Sequence, residues 1–324
     1  MQSPLAWTDA RIVSFQDVTP TVREFTIEPV GSALTYAPGA HLQVQLLLNG
    51  QPQTRSYSLM GPPDGQAYRI AVKRLDDGRG GSLAMWRLAV GDRLRVTPPQ
   101  NHFQLDLNAP AYLLVAGGVG VTPLVFMALT LAPRAAPLRF LQAARSVAEL
   151  AYAPLLRDTL GDGYYAFASD QGEMIDFSAE IADLSPGAQL WVCGPAPMLD
   201  AARSAWALAG RLAVDLRYET FGSSGRFAPQ AFRVQVPRQG VDIRVAADES
   251  LLEAIELAGV QTLSNCRRGE CGLCAMEVLG VEGEIDHRDV FLSTAEKAQN
   301  KRICICVSRV LGTITLDCAH RAEI

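Results

Sequence analysis

The stretch SNCRRGECGLCAMEV places Cys266, Cys271 and Cys274 at C-x4-C-x2-C spacing. Thiolates so placed suit metal ligation, and the spacing is that of a plant-type two-iron, two-sulfur cluster closed by a distant fourth cysteine. A glycine-rich loop wraps a small inorganic core while its backbone N–H groups aim at the sulfurs. Gly269 and Gly272 permit the close approach and positive φ this requires. Zinc sites more often pair two C-x2-C knuckles, and only one such pair exists here. The closing ligand is Cys304 or Cys306, which share one face of a strand-like ICICVSR. Six of the seven cysteines lie from Cys266 onward, an uneven placement that fits metal ligation in a reducing cytoplasm better than a disulfide framework.

Two further pieces lie near the N-terminus. In RSYSL, residues 55–59, Arg55 could pair with a phosphate, Tyr57 pack on a flavin ring and Ser58 hydrogen-bond ring atoms. GRGGS, residues 78–82, precedes a helix candidate SLAMWRLA, so glycine-backed amides and Ser82 would meet an anion at a helix start.

The middle of the chain carries two glycine turns, each between a strand and a helix. In VAGGVGVTPL, residues 115–124, Gly117, Gly118 and Gly120 would admit a dinucleotide to the backbone, and Pro123 suits a first helical turn. VCGPAPML, residues 192–199, sets Cys193 and Gly194 at the carboxyl edge of a sheet, where ligands bind in α/β folds. Asp170 follows another strand, where it would accept from a ribose 2′-hydroxyl and repel a 2′-phosphate; Arg145 pulls the other way. NADH is the expected donor.

The elements that must position these residues are legible from periodicity. From Arg11 to about Leu107, six short alternating segments separated by turn residues imply a closed antiparallel barrel. From Ala111, alternating strands and helices imply a parallel sheet. GSSGRFAPQA, residues 222–231, reads as a linker, and FRVQVP with VDIRVAA reads as a hairpin before a helix that Asp248 or Ser250 could cap. The expected division is a flavin-binding barrel over 1–108, a nucleotide-binding α/β domain over 109–222, a linker over 223–231 and a two-iron, two-sulfur domain over 232–324.

The chain of 324 residues has 48% hydrophobic and 19% charged residues and a net charge of −5. It lacks a basic tract, so nucleic acid is not expected as a partner. It also lacks an apolar run of the roughly 18–20 residues a membrane helix needs. The N-terminus MQSPLAWTDARIVSF has no signal-peptide pattern, so a cytoplasmic protein is expected. His41, His102, His287 and His320 fall outside any metal spacing and are expected on the surface or in loops.

RSYSL with GRGGS resembles the flavin barrel of the ferredoxin–NADP reductase superfamily, in its phthalate dioxygenase reductase and vanillate demethylase reductase branch. GEIDHRDVFLSTAEK and ICICVSR resemble the plant-type ferredoxin domains of oxygenase reductases, which implies an α+β, β-grasp ferredoxin domain over 232–324. The resemblance implies FMN, with FAD second because other branches sharing R-x-Y-S keep FAD. It places the phosphate at Arg55, Ser56 and Ser82, with Tyr57, Ser58, Ala71, Val72, Lys73, Gly80 and Gly81 as further flavin-side residues. Gly118, Thr122, Pro123, Arg145, Asp170, Cys193 and Gly194 would take the nucleotide, Thr122 and Cys193 bordering the nicotinamide. YETF, residues 218–221, resembles a segment whose last aromatic lies against the flavin, here Phe221; Arg217 stands where histidine is usual. Ser58, Cys193 and Phe221 are thus the residues expected around the reacting rings.

In the family register Cys306 closes the cluster, with a two-residue extension between Leu279 and Glu284, and Cys318 is a buried small hydrophobe outside the motif. The implied function is the reductase component of a Rieske-type non-haem iron oxygenase. Electrons would pass from NADH through flavin to [2Fe–2S], because a flavin takes a hydride and releases single electrons. The organic substrate would bind the oxygenase and so is not written in this chain.

Overall fold

The computed structural model describes residues 6–48, 50–76, 78, 80–221 and 225–317; Cys318 and His320 lie outside them. Met1–Glu219 and Thr220–Ile324 form two compact units, taken in turn.

The first unit opens with β1 (Thr8–Thr19), β2 (Val22–Pro29), β3 (Ala40–Leu48), β4 (Gln51–Ser58), β5 (Tyr68–Lys73), α1 (Gly81–Arg87), β6 (Arg93–Val96) and β7 (Gln100–Asn101). The strands pair antiparallel in the order β4-β3-β6-β1-β2-β5, with β7 on β3. A bridge between Leu59 and Ile70, with Met60 N donating to Arg69 O at 2.9 Å, joins the two outer strands. The sheet is therefore a closed barrel, and closure removes its exposed edges. Alternate residues fill it: Ile12, Phe25, Ile27, Leu42, Leu59 and Ile70 are fully buried, each worth about 1.5–3 kcal/mol of burial.

His41 departs from its expected surface position. It lies on β3, 1% exposed, with its ring centroid 5.6 Å from that of His102. Residues Ala40–Val44 of β3 are all buried, in a strand paired with β4 on one edge and with β6 and β7 on the other. His287 lies in a loop, half-buried, beside Asn300 Oδ1 at 3.0 Å.

The same unit continues with β8 (Tyr112–Gly117), α2 (Val121–Leu131), β9 (Leu138–Ala144), α3 (Ala153–Leu160), β10 (Tyr164–Ala168), α4 (Phe177–Ala182), β11 (Gln189–Cys193), α5 (Ala196–Leu208) and β12 (Leu216–Glu219). All pairings are parallel, in the order β10-β9-β8-β11-β12. Central β8, YLLVAG, is buried throughout, as a strand covered on both faces must be. Parallel register brings Gly117, Ala144, Ala168 and Cys193 to one edge. Barrel and sheet meet through polar and aromatic contacts, among them Gln189 Nε2 donating to Asp106 Oδ2 at 2.9 Å and the Phe103 and Trp191 rings 5.0 Å apart.

The second unit holds β13 (Phe232–Val236), β14 (Val241–Val245), α6 (Leu251–Leu257), β15 (Ala275–Asp286), α7 (Thr294–Gln299), β16 (Arg302–Cys304) and β17 (Arg309–Asp317). Its mixed sheet runs β14-β13-β17-β15-β16, with β13 parallel to β17, the β-grasp arrangement. Ser250, rather than Asp248, caps α6, in a capping box with Glu253. Residues 225–231 are fastened to this unit. Arg226 N donates to Asp286 Oδ1 at 3.0 Å, Arg288 to Phe227 O at 2.8 Å and Arg309 to Gln230 O at 2.9 Å. β15 carries a one-residue bulge between Val278 and Gly280, where it pairs with β17.

Candidate functional site

The cysteine loop runs from α6 to β15. Arg267, Gly269 and Gly272 have positive φ (52°, 79° and 72°), which curls the backbone around the Cys266 thiol. The N–H groups of Arg268, Glu270 and Cys271 each donate to Cys266 Sγ at 3.4 Å. A Cβ on Gly269 would stand 2.8 Å from the Asp289 Cα, and one on Gly272 would enter the Phe291 ring. The other side of the loop meets the turn after β16, where Cys274 Sγ lies 3.1 Å from Cys306 Sγ. Cys304 is wholly buried on β16, opposite Ala275.

The thiols form two groups, Cys266 with Cys271 and Cys274 with Cys304 and Cys306. Hydrogen bonding with Cys266 takes the Cys271 thiol down to about 6, while the same bond raises Cys266. Hydrogen bonds from Cys304 and then Cys306 take Cys274 down to about 4, and both donors are raised. Each group thus presents one ready thiolate, the form that binds metal. Among the described residues no three His, Cys, Asp or Glu side chains gather as a single-ion site. A two-iron core asks instead for two thiolates per iron, and the residues fit that group.

Around the loop stand side chains with no ligand signature. Arg268, 4% exposed, pairs with Glu270 at 3.1 Å, and Glu270 accepts from Thr220 N at 2.9 Å. Asp289, 2% exposed, accepts from Leu292 N at 2.8 Å and from the Ser308 hydroxyl at 3.2 Å. The two aspartates of the D-H-R-D run, Asp286 and Asp289, hold backbone in place.

In the barrel, Arg55 lies against the start of α1: a Cβ on Gly81 would sit 2.7 Å from Arg55 Nε. The guanidinium donates to Thr54 O at 2.9 Å and Gln53 Oε1 at 2.6 Å. Gly80 adopts the left-handed conformation at the helix start. The Ser82 hydroxyl accepts from Leu75 N at 3.1 Å, which closes the preceding loop. Ser58 Oγ, at the end of β4, is buried with no hydrogen-bond partner among the described residues. An orphaned buried hydroxyl costs about 1–3 kcal/mol, which a ring heteroatom of a bound flavin would offset. Burial raises the neighbouring Tyr57 phenol. These residues fit a flavin.

The two glycine turns pack on each other. A Cβ on Gly120 would lie 2.0 Å from Cys193 O, one on Gly117 2.6 Å from Pro195 Cδ, and one on Gly194 2.8 Å from Met198 Sδ. At Gly117 and Gly120 the protein contacts alone leave no room for a side chain. Gly118, with φ +54° and nothing within 4 Å, is the open position. Thr122 is buried and donates to Val119 O at 2.9 Å, Pro123 sits in the first turn of α2, and Cys193 is fully enclosed at the end of β11. β5, which carries Ala71, Val72 and Lys73, runs beside the Gly118–Gly120 turn. At the same sheet edge Asp170 N donates to Arg145 O at 2.9 Å, with both side chains exposed. Phe221, half-buried, belongs to the second unit and not to the one holding the other flavin-side residues.

Residues 9–105 match the oxidoreductase FAD-binding domain family, and residues 234–311 match the 2Fe-2S iron-sulfur cluster binding domain family. The chain is 37% identical to the heme-dependent oxidative N-demethylase beta subunit of Ectopseudomonas mendocina, over 95% of this chain and 98% of that one. It is 33% identical to the phthalate 4,5-dioxygenase oxygenase reductase subunit of Pseudomonas putida, over 95% of each.

The chain belongs to the phthalate dioxygenase reductase family. A solved phthalate dioxygenase reductase, described as a modular structure for electron transfer from pyridine nucleotides to [2Fe-2S], superposes with a TM-score of 0.79 at 29% identity. The match covers 96% of this chain and 98% of that one. This reductase is accordingly an oxidoreductase with a flavin-binding barrel and a 2Fe-2S domain, and no helix among its described residues is long and apolar enough to cross a membrane.

Proposed function

We propose that this reductase is the NADH-dependent electron-supply component of a two-component Rieske-type oxygenase, passing electrons through FMN and one [2Fe–2S] cluster, in the cytoplasm. The observation that carries the reading is the adjacency within one compact unit of β5, the orphaned Ser58 hydroxyl and the open Gly118 turn. The flavin barrel is assigned to residues 1–108, the nucleotide domain to 109–222, the connection to 223–231 and the ferredoxin domain to 232–324.

Arg55 beside the α1 N-terminus supplies a fixed positive charge and backbone amides for one phosphate, which favours FMN over FAD. Gly118 and Pro123 leave room for a dinucleotide at the sheet edge, and Asp170 there disfavours a 2′-phosphate and so NADPH. Thr122 and Cys193 line the end of the nucleotide site and Ser58 orients the flavin ring. Cys266, Cys271, Cys274 and Cys306 would hold the cluster, and the N–H groups of Arg268, Glu270 and Cys271 would stabilise the Cys266 thiolate. Bound flavin would supply the conversion between a hydride and single electrons.

The phthalate 4,5-dioxygenase relative supports a dioxygenase acceptor, and the Rieske type follows from the sequence resemblance. A haem oxygenase acceptor is the second reading, favoured by the heme-dependent N-demethylase among the relatives. Rapid mixing of the oxidised holoprotein with NADH tests the electron path. Flavin bleaching followed by loss of iron–sulfur absorbance is expected, and a cluster that stays oxidised overturns the proposal. Titrating the reduced protein with a Rieske-type and a haem oxygenase component separates the two acceptors.

A further inference from the structure

Between β9 and α3 runs the segment Arg145–Tyr152, whose first residue is a nucleotide-side candidate. Its far end is held on the flavin barrel by polar contacts that the proposed electron path does not use. Tyr152 is left-handed (φ 61°, ψ 12°) at the start of α3, a conformation that residues with large side chains keep only where surrounding contacts enforce it. Its hydroxyl donates to Glu24 Oε2 at 2.7 Å. Glu24 is 8% exposed and sits on β2 opposite Ala71. Three residues earlier, Glu149 accepts a hydrogen bond from the Thr21 hydroxyl and lies 3.6 Å from Lys73 Nζ.

The sheet grips the same segment. Buried Gln142 donates to Ala151 O at 2.9 Å while its own carbonyl accepts from the Tyr164 hydroxyl at 2.8 Å. Arg145 O accepts from Asp170 N. The segment therefore ties the nucleotide-side pair Arg145 and Asp170 to β5, whose Ala71 and Lys73 are flavin-side candidates.

We propose that Tyr152, Glu24 and Glu149 are positioning residues for the nicotinamide nucleotide. They hold the Arg145–Tyr152 segment on the barrel, so that a nucleotide bound at the sheet edge keeps its register with the flavin. The inference rests on the functional reading above and adds to it the side chains that set this register. A hydroxyl donating to a poorly solvated carboxylate makes a short, directional contact, and a shift of the segment would be felt by Arg145 before it reached the flavin pocket.

The test is single-turnover flavin reduction in the holoprotein, read as limiting bleaching rate and half-saturating NADH. Tyr152→Phe is expected to raise half-saturation about tenfold, as loss of a hydrogen bond to a charged group would, with the limiting rate within about twofold. Flavin content and cluster spectrum should be unchanged. Glu24→Ala should match Tyr152→Phe, while Glu24→Gln, which keeps a carbonyl acceptor, should stay near the wild type. Unaltered half-saturation in Tyr152→Phe overturns the inference, as does a slower limiting rate at unaltered half-saturation. Should Tyr152→Phe lose its flavin, Glu149→Gln decides: raised half-saturation supports the inference and unaltered half-saturation overturns it. A wild-type flavin that neither NADH nor NADPH bleaches overturns the functional reading and this inference with it. A wild type that bleaches leaves that reading standing whatever the variants do.

Discussion

Cys274 Sγ and Cys306 Sγ lie 3.1 Å apart across 32 residues of sequence. The contact joins the cysteine loop to the turn after β16, so two distant backbone segments supply one thiol group. Cys304 lies beside them, wholly buried at the end of β16 next to buried Ile303.

Cys306→Ser should therefore prevent cluster assembly, while Cys304→Ser should retain it. Iron content and visible absorbance of the purified proteins decide, with flavin bound in both. A colourless Cys304→Ser protein beside a fully loaded Cys306→Ser protein would reverse the assignment.

Gly120→Ala and Gly118→Ala should fail differently. The Gly120 Cβ would strike the Cys193 carbonyl at 2.0 Å, so the sheet must shift, at a cost of about 1–3 kcal/mol visible as a lower Tm. At Gly118 the space is open and only the left-handed backbone resists, at about 1–2 kcal/mol. Gly118→Ala should weaken NADH binding in an otherwise folded protein. Tm and half-saturating NADH, measured on both, distinguish a turn built for packing from one built for ligand.

Ser58→Ala should act in opposite directions with and without flavin. Removing an unpartnered buried hydroxyl relieves about 1–3 kcal/mol of desolvation cost in the flavin-stripped protein, so its Tm should rise or hold. The flavin-loaded variant should bind its cofactor more weakly by fluorescence titration. A lower Tm in the stripped variant would mean the hydroxyl serves the barrel rather than the flavin.

Asp106 supplies a pH dependence. Hydrogen bonds from Asn108 N and then from the Gln189 side chain hold its carboxyl below the usual range. A lowered folded-state pKa adds stability above the unfolded value of about 3.9, and that contribution is lost as pH falls through the folded value. The Tm gap between wild type and Asp106→Asn should persist at neutral pH and close as pH falls below about 4. A gap independent of pH would exclude the charge as its source.

The sequence by itself determined the cluster spacing, the order of the motifs and the class of each domain, because these rest on local requirements. Two-residue alternation writes the barrel strands, an apolar run writes β8, and Ser250 with Glu253 writes the start of α6. Only the tertiary structure decided that Cys274 meets Cys306 at 3.1 Å, that Gly120 packs against the Cys193 carbonyl, that His41 is buried, and that Tyr152 reaches Glu24 across 128 residues. Each of those facts depends on which strands lie side by side and in what register. Residue spacing along a chain does not carry that information until the sheets are built.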